Sequence, residues 1–97
     1  MNEIDILIMK VIEIRNQKLS TIRLQKYEQA AQLRDTERQF EEKIYNKING
    51  LEDVERDYDW KLFEETINGY LLKEYGLKYT DSFLQLKRQI SLKELGI

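Results

Sequence analysis

The chain contains no proline and only four glycines among its 97 residues, so the two residue types that interrupt helices and shape tight loops are scarce. Charged residues make up 35% of the chain and hydrophobic residues 41%, a balance typical of helices with long solvated faces around one modest core. A chain of this length has the size of a single domain. The composition therefore predicts an all-α fold.

A first stripe of apolar residues recurs at mixed spacings of three and four over about residues 3–22. This spacing predicts a helix, and Asn2 is its candidate N-cap. The start of the stripe also alternates, because Ile4, Ile6 and Ile8 lie two residues apart, so a short strand is the competing interpretation.

A second apolar stripe predicts a helix over about residues 26–48, with Glu37 at the one seam position where an apolar residue is missing. Asn49-Gly50 tolerates the left-handed backbone that ends many helices. The connection between the two helices is only about residues 23–25, and a connection that short makes them antiparallel neighbours. Residues 1–50 are thus predicted to form a helical hairpin with a coiled-coil-like seam.

Residues 51–59 carry five acidic side chains against one arginine, which is typical of an acidic linker. Asp57 or Asp59 can cap a third helix in residues 60–97, a C-terminal segment expected to form one folding unit with the hairpin. Asn68-Gly69 lies inside that helix and is also a strong hairpin-turn signal, so a strand pair is the alternative.

The third helix is expected to end at Gly76. Thr80-Asp81 can cap a fourth helix, and Ser91 with Glu94 resembles a capping box before a separate last turn. Two or three helices are therefore expected after the hairpin.

The chain contains neither cysteine nor histidine, which excludes zinc sites of the usual type, thiol nucleophiles and imidazole bases. Adjacent acids such as Glu41-Glu42 diverge by about 100° on a helix and are expected to face water rather than form an acid–base or metal pair. We expect no enzymatic activity, no cofactor and no metal. The N-terminal stretch is unlike a signal peptide or a membrane span, so the expected location is cytoplasmic.

Residues 26–35, KYEQAAQLRD, carry the pattern aromatic-Glu-x-Ala-Ala-x-Leu-Arg-Asp. This segment resembles the UVR motif, found where the excision-repair proteins UvrB and UvrC meet. The continuation TERQF looks closer to the version in the linker of Clp ATPases of the ClpC type. The resemblance covers about residues 18–50 and implies protein–protein coupling. A related adaptor carries cysteine pairs, which are absent here, as is a nucleotide-binding glycine loop, so only the docking element is shared.

The pattern also has a physical reason. Ala30 and Ala31 remove bulk after the turn and allow a close backbone approach, and Arg34 at the margin of the apolar stripe needs a carboxylate or carbonyl partner. The alternative is that these residues pack the second helix onto the first and that Arg34 with Asp35 forms a solvated pair. The candidate partner-binding residues are Tyr27, Ala30, Ala31, Leu33, Arg34, Asp35 and Arg38.

Seven of the ten aromatic residues lie in the C-terminal half. They are expected to cap the core, or else to expose Tyr58, Trp60 and Tyr79 as interface anchors. Folded over Ala30 and Ala31, this half would compete with a partner for that surface.

These patterns predict a protein-interaction module or small adaptor, and the resemblance implies a link to excision repair or Clp-type proteolysis. Its expected partner is a UvrB-like, UvrC-like or Clp-type protein, or a second copy in a homodimer. Two alternatives stay open. One is a nucleic-acid-associated repair accessory in which Lys26, Arg34 and Arg38 contact phosphates, although the net charge of −2 provides no broad basic field. The other is a purely structural helical dimer.

Overall fold

The computed structural model describes residues 2–52, 60–79 and 83–96. These residues form four α-helices and no strand: α1 (Glu3–Arg23), α2 (Tyr27–Ile48), α3 (Trp60–Tyr75) and α4 (Phe83–Glu94). The prediction of an all-α fold is confirmed, as is the antiparallel pairing of the first two helices into a hairpin.

The predicted start of α1 is confirmed, since the backbone N–H of Asp5 donates to the Asn2 side chain at 3.0 Å. The competing strand in this segment is wrong. At the other end of α1, Gln25 turns the chain with a positive φ of 59°. The N–H of Lys26 then donates to the carbonyl of Thr21 at 3.0 Å, which closes the last turn of α1.

Asn68-Gly69 lies inside α3, so the strand pair considered for this dipeptide is wrong. The spacing of the apolar residues decides between the two structures: Phe63, Ile67 and Leu71 recur every four residues and are all fully buried. In a β-hairpin with its turn at Asn68-Gly69, Ile67 would pair with Tyr70, so Leu71 would lie on the opposite face from Phe63 and Ile67 and the three could not be buried together.

The capping box predicted at Ser91 and Glu94 does not start a new element, because α4 runs unbroken from Phe83 to Glu94. Ser91 lies inside the helix, and its carbonyl accepts the N–H of Leu95 at 3.1 Å. The predicted caps at Asp57, Asp59 and Thr80-Asp81 lie outside the described residues. So does all of the acidic linker except Leu51 and Glu52.

The core lies at one end of the hairpin, which we call the base (residues 2–15 and 37–48). There α3 packs on α2 and α4 packs on α1. The core residues are nearly or fully buried: Leu7, Ile8, Val11, Ile12, Ile44, Phe63, Ile67, Leu71, Tyr79, Leu86 and Ile90. None of them belongs to residues 16–36, which we call the apex.

A polar cluster at the base sets the direction of α3. The nearly buried carboxylate of Asp5 accepts the hydroxyl of Tyr75 at 2.6 Å and the hydroxyl of Tyr70 at 3.1 Å. The C-terminal end of α3 thus lies beside the start of α1. Since α3 begins at Trp60, near Arg15 in the middle of the hairpin, it runs from mid-hairpin toward the base. Within the described part of the chain, no helix has the length and apolar content needed to cross a membrane.

Candidate functional site

The apex of the hairpin is exposed, although it carries large apolar side chains. Of residues 16–36, only Ala30 is buried. The exposed apolar residues of the apex, with their exposed fractions, are Leu19 (47%), Ile22 (43%), Leu24 (65%) and Tyr27 (66%). Clustered exposure of this kind is typical of a binding surface rather than of scattered surface residues.

The apex continues the face that is buried at the base. On α1, the residues Ile8, Ile12, Arg15, Leu19 and Ile22 recur at spacings of four and three, which places them on one side of the helix. The first two are fully buried, whereas the last two are exposed. Among the described residues, the groove between α1 and α2 is therefore filled by the C-terminal helices at the base and left open at the apex.

The structure places the predicted partner-binding residues on α2 with different exposures. Ala30 is buried (8% exposed) and Leu33 is half-buried, as packing between the two helices requires. Tyr27 and Ala31 are exposed, and so are the charged candidates Arg34, Asp35 and Arg38. Only one of the two alanines is thus part of the hairpin's own packing. The other is accessible, and the described part of the aromatic C-terminal half leaves it uncovered.

The apex is more basic than the rest of the chain. Residues 16–36 contain four basic and two acidic side chains, a net charge of +2, although the whole chain has a net charge of −2. The basic residues are Lys18, Arg23, Lys26 and Arg34. A surface of this composition favours an acidic counterpart.

A buried ion cluster marks the boundary between base and apex. It joins Arg15 and Lys18 of α1 to Glu37 and Glu41 of α2. The Arg15 guanidinium donates to Glu37 at 2.5 Å and to Glu41 at 3.1 Å, and the Lys18 ammonium donates to Glu37 at 2.8 Å. Both glutamates are nearly buried, at 5% and 6% exposed. Glu37 therefore occupies a seam position that usually holds an apolar residue, because its carboxylate pairs with two cations of α1.

Aromatic rings from the C-terminal half cover this ion cluster. The Arg15 guanidinium lies 3.8 Å from the centroid of the Trp60 ring and 4.7 Å from that of Tyr79. Phe63 meets the Tyr79 ring edge-on with centroids 5.4 Å apart. Phe63 and Tyr79 are buried, as predicted for a core cap, whereas Trp60 at the start of α3 keeps 42% of its surface exposed. Tyr58 lies outside the described residues.

The two glutamates hold protons with different affinity. Burial raises the pKa of Glu41 to about 7, helped by the hydrogen bond and charge of Glu37 and opposed by Arg15. Burial would also raise the pKa of Glu37, but hydrogen bonds and charge from Lys18 and Arg15 outweigh it and lower that pKa below its ordinary value. The fully buried Tyr79 beside them has a raised pKa, because burial disfavours its phenolate.

Sequence reasoning missed this ion cluster. The expectation that Glu41 faces water is wrong, because Arg15 on the opposite helix draws its carboxylate into the seam. The available signal was the pair of charged residues on facing stripes, Arg15 among isoleucines on α1 and Glu37 at the gap on α2. Complementary charges at interior seam positions predict a cross-helix pair.

Two further features contribute less to the candidate site. On the other side of the α1–α2 seam, an open groove is lined by side-chain amides, hydroxyls and one leucine: Gln17, Ser20, Thr21, Gln29, Gln32, Leu33 and Thr36. In the part of the chain that the structure describes, no group of three or more acidic, histidine or cysteine side chains is arranged to hold a metal ion.

The chain was also compared with known proteins. No protein-family model, curated protein or solved structure matches it.

Proposed function

We propose that this chain is a cytoplasmic protein-interaction module that docks onto a helical hairpin of a partner protein through the apex of its own hairpin. The observation that carries the proposal is the exposure of the apolar apex at the end of the hairpin away from the core. The UVR-like pattern of residues 26–35 lies on this apex. Its resemblance makes a UvrB-like, UvrC-like or Clp-type protein the expected partner.

The separation of core and apex supports docking without unfolding. The C-terminal helices and the base of the hairpin bury the core residues, whereas the exposed Leu19, Ile22 and Tyr27 contribute little to it. A partner can therefore cover these side chains and remove their apolar surface from water, and each fully buried large side chain contributes about 1.5–3 kcal/mol.

The test is a direct binding measurement with purified UvrB-like, UvrC-like and Clp-type proteins of the same organism. We expect one of them to bind, and we expect Ala31→Arg to weaken that binding at least tenfold, because an arginine would hold the partner's backbone away from an exposed small residue. The matched control is Gln39→Arg, which introduces the same residue at an exposed position eight residues further along α2.

Equal binding by the parent protein and the Ala31→Arg variant would refute docking through this surface, as would an equal loss in the Gln39→Arg control. Two other results would replace the proposal. Binding to an oligonucleotide with a clear negative salt slope would favour nucleic acid as the partner. A dimeric mass in solution that Ala31→Arg reduces to a monomer would favour self-association.

A further inference from the structure

We propose that the partner's hairpin makes the contact through one amphipathic α-helix with acidic flanks, which lies in the open apical end of the α1–α2 groove in line with α3. This inference rests on the proposed function and specifies the chemistry of the partner.

The first argument is continuity with the packing already present. At the base, α3 lies against the hairpin along its length. Trp60 at its start lies beside Arg15, and Tyr75 at its end lies beside Asp5. It therefore leaves the groove uncovered from Arg15 to the end of α1 at Arg23, a length of about 12 Å at 1.5 Å per residue. Two turns of a helix fit this length, and a helix is the element that the same groove accepts at the base.

The second argument is the pattern of side chains along the open groove. Leu19 and Ile22 continue the stripe of Ile8 and Ile12, which contacts the C-terminal helices in the core. A partner helix would meet them as α3 and α4 meet the base, with apolar residues at spacings of three and four. The exposed part of the Trp60 ring lies at the junction, where the end of the partner helix would cover it.

The third argument is charge. Arg23, Lys26 and Arg34 are the exposed basic side chains of the apex, since Lys18 is half-buried and pairs with Glu37. Glutamates or aspartates along both flanks of the partner helix would complement this charge. The apex of a second copy carries the same positive charge and would be repelled, so self-pairing of two apices is disfavoured.

The experiment uses two synthetic 21-residue peptides without tryptophan. Both carry Leu at heptad positions a and d and Ala elsewhere, except that one has Glu and the other has Lys at positions e and g. Each peptide is titrated into the full chain while the fluorescence of Trp60, its only tryptophan, is recorded. We expect the fluorescence to change and saturate as the acidic peptide is added, and we expect added salt to weaken its binding. The basic peptide should bind at least tenfold more weakly.

Two variants locate the peptide. Leu19→Ser at the apex should weaken the binding of the acidic peptide at least fivefold. Leu84→Ser, at a 78% exposed position on α4, should leave its binding unchanged. Thermal unfolding of each variant verifies that its fold is intact, as expected for exposed positions.

Failure of the acidic peptide to bind would overturn the inference, and so would equal binding of both peptides or equal losses in the two variants. If the acidic peptide fails while a partner protein still binds in an Ala31-dependent manner, the acidic-helix assignment is wrong and the docking function stands. If neither binds, both proposals are wrong.

Discussion

The buried pair Glu37 and Glu41 predicts an unusual dependence of stability on pH. The pKa of Glu41 is raised from 4.5 to about 7 in the folded chain, so the fold binds the proton of this carboxyl more tightly than the unfolded chain does. Its contribution to the free energy of unfolding is therefore fully present below pH 4.5 and is lost as the pH rises through 7. The lowered pKa of Glu37 acts in the opposite sense, but only as the pH falls below its ordinary value of 4.5.

The size of the effect follows from the pKa shift. One pKa unit corresponds to about 1.4 kcal/mol, so the loss between pH 5 and pH 8 is expected to be about 1–3 kcal/mol. The chain has no histidine, and no other side chain of ordinary pKa titrates in this interval. Glutamine resembles the protonated acid in shape and cannot ionise. The Glu41→Gln variant should therefore have nearly constant stability from pH 5 to 8 and should exceed the parent at pH 8.

The assay is urea unfolding followed by circular dichroism at pH 5, 6, 7 and 8. Glu42→Gln is the matched control, because Glu42 is the next residue on α2 and is only half-buried. This variant should keep the slope of the parent. A parent whose stability is constant or rises from pH 5 to 8 would refute the reasoning. A slope that persists in Glu41→Gln would show that another group is responsible.

Three other substitutions have defined outcomes. Gln25→Gly should raise the free energy of urea unfolding by about 0.5–1 kcal/mol, because Gln25 has a positive φ of 59° that only glycine adopts without strain. Tyr75→Phe should lower the free energy of unfolding by about 1–2 kcal/mol, because the carboxylate of Asp5 loses the 2.6 Å hydrogen bond that the Tyr75 hydroxyl donates. Thermal melting at neutral pH measures this loss of stability. Phe63→Ala should lower the free energy of unfolding by about 3–5 kcal/mol, because Phe63 is fully buried, whereas Leu84→Ala at an exposed site should change the urea midpoint little.

Local patterns predicted the helices well because their evidence lies within a few residues. Asn2 caps α1, and the short connection before Tyr27 forces the hairpin. The prediction failed at Ser91, where a capping-box pattern lies inside a continuous helix. A capping box stabilises a helix start, but it does not break a helix that is already anchored, as α4 is by the buried Leu86 and Ile90 in the turns before Ser91.

The arrangement of the site depends on contacts between distant residues and was less predictable. Ala30 and Ala31 are equivalent in the sequence, yet only Ala30 packs inside the hairpin. The position at which α3 begins relative to Arg15 decides which end of the groove stays open. No local sequence pattern predicts that position. The burial of Glu41 likewise depends on a cation 26 residues away in the sequence.

The position of the core at the base implies that the hairpin does not have uniform local stability. Between residues 16 and 36 only Ala30 is buried, with Lys18, Thr21 and Leu33 half-buried, whereas the base contains the whole core. Backbone amides of residues 16–36 should therefore exchange with deuterium through local opening, while those near Ile8 and Ile44 exchange only through global unfolding. The ion cluster at Arg15 would divide the fast-exchanging half of each helix from the slow half. A bound partner would slow exchange on the apical side alone.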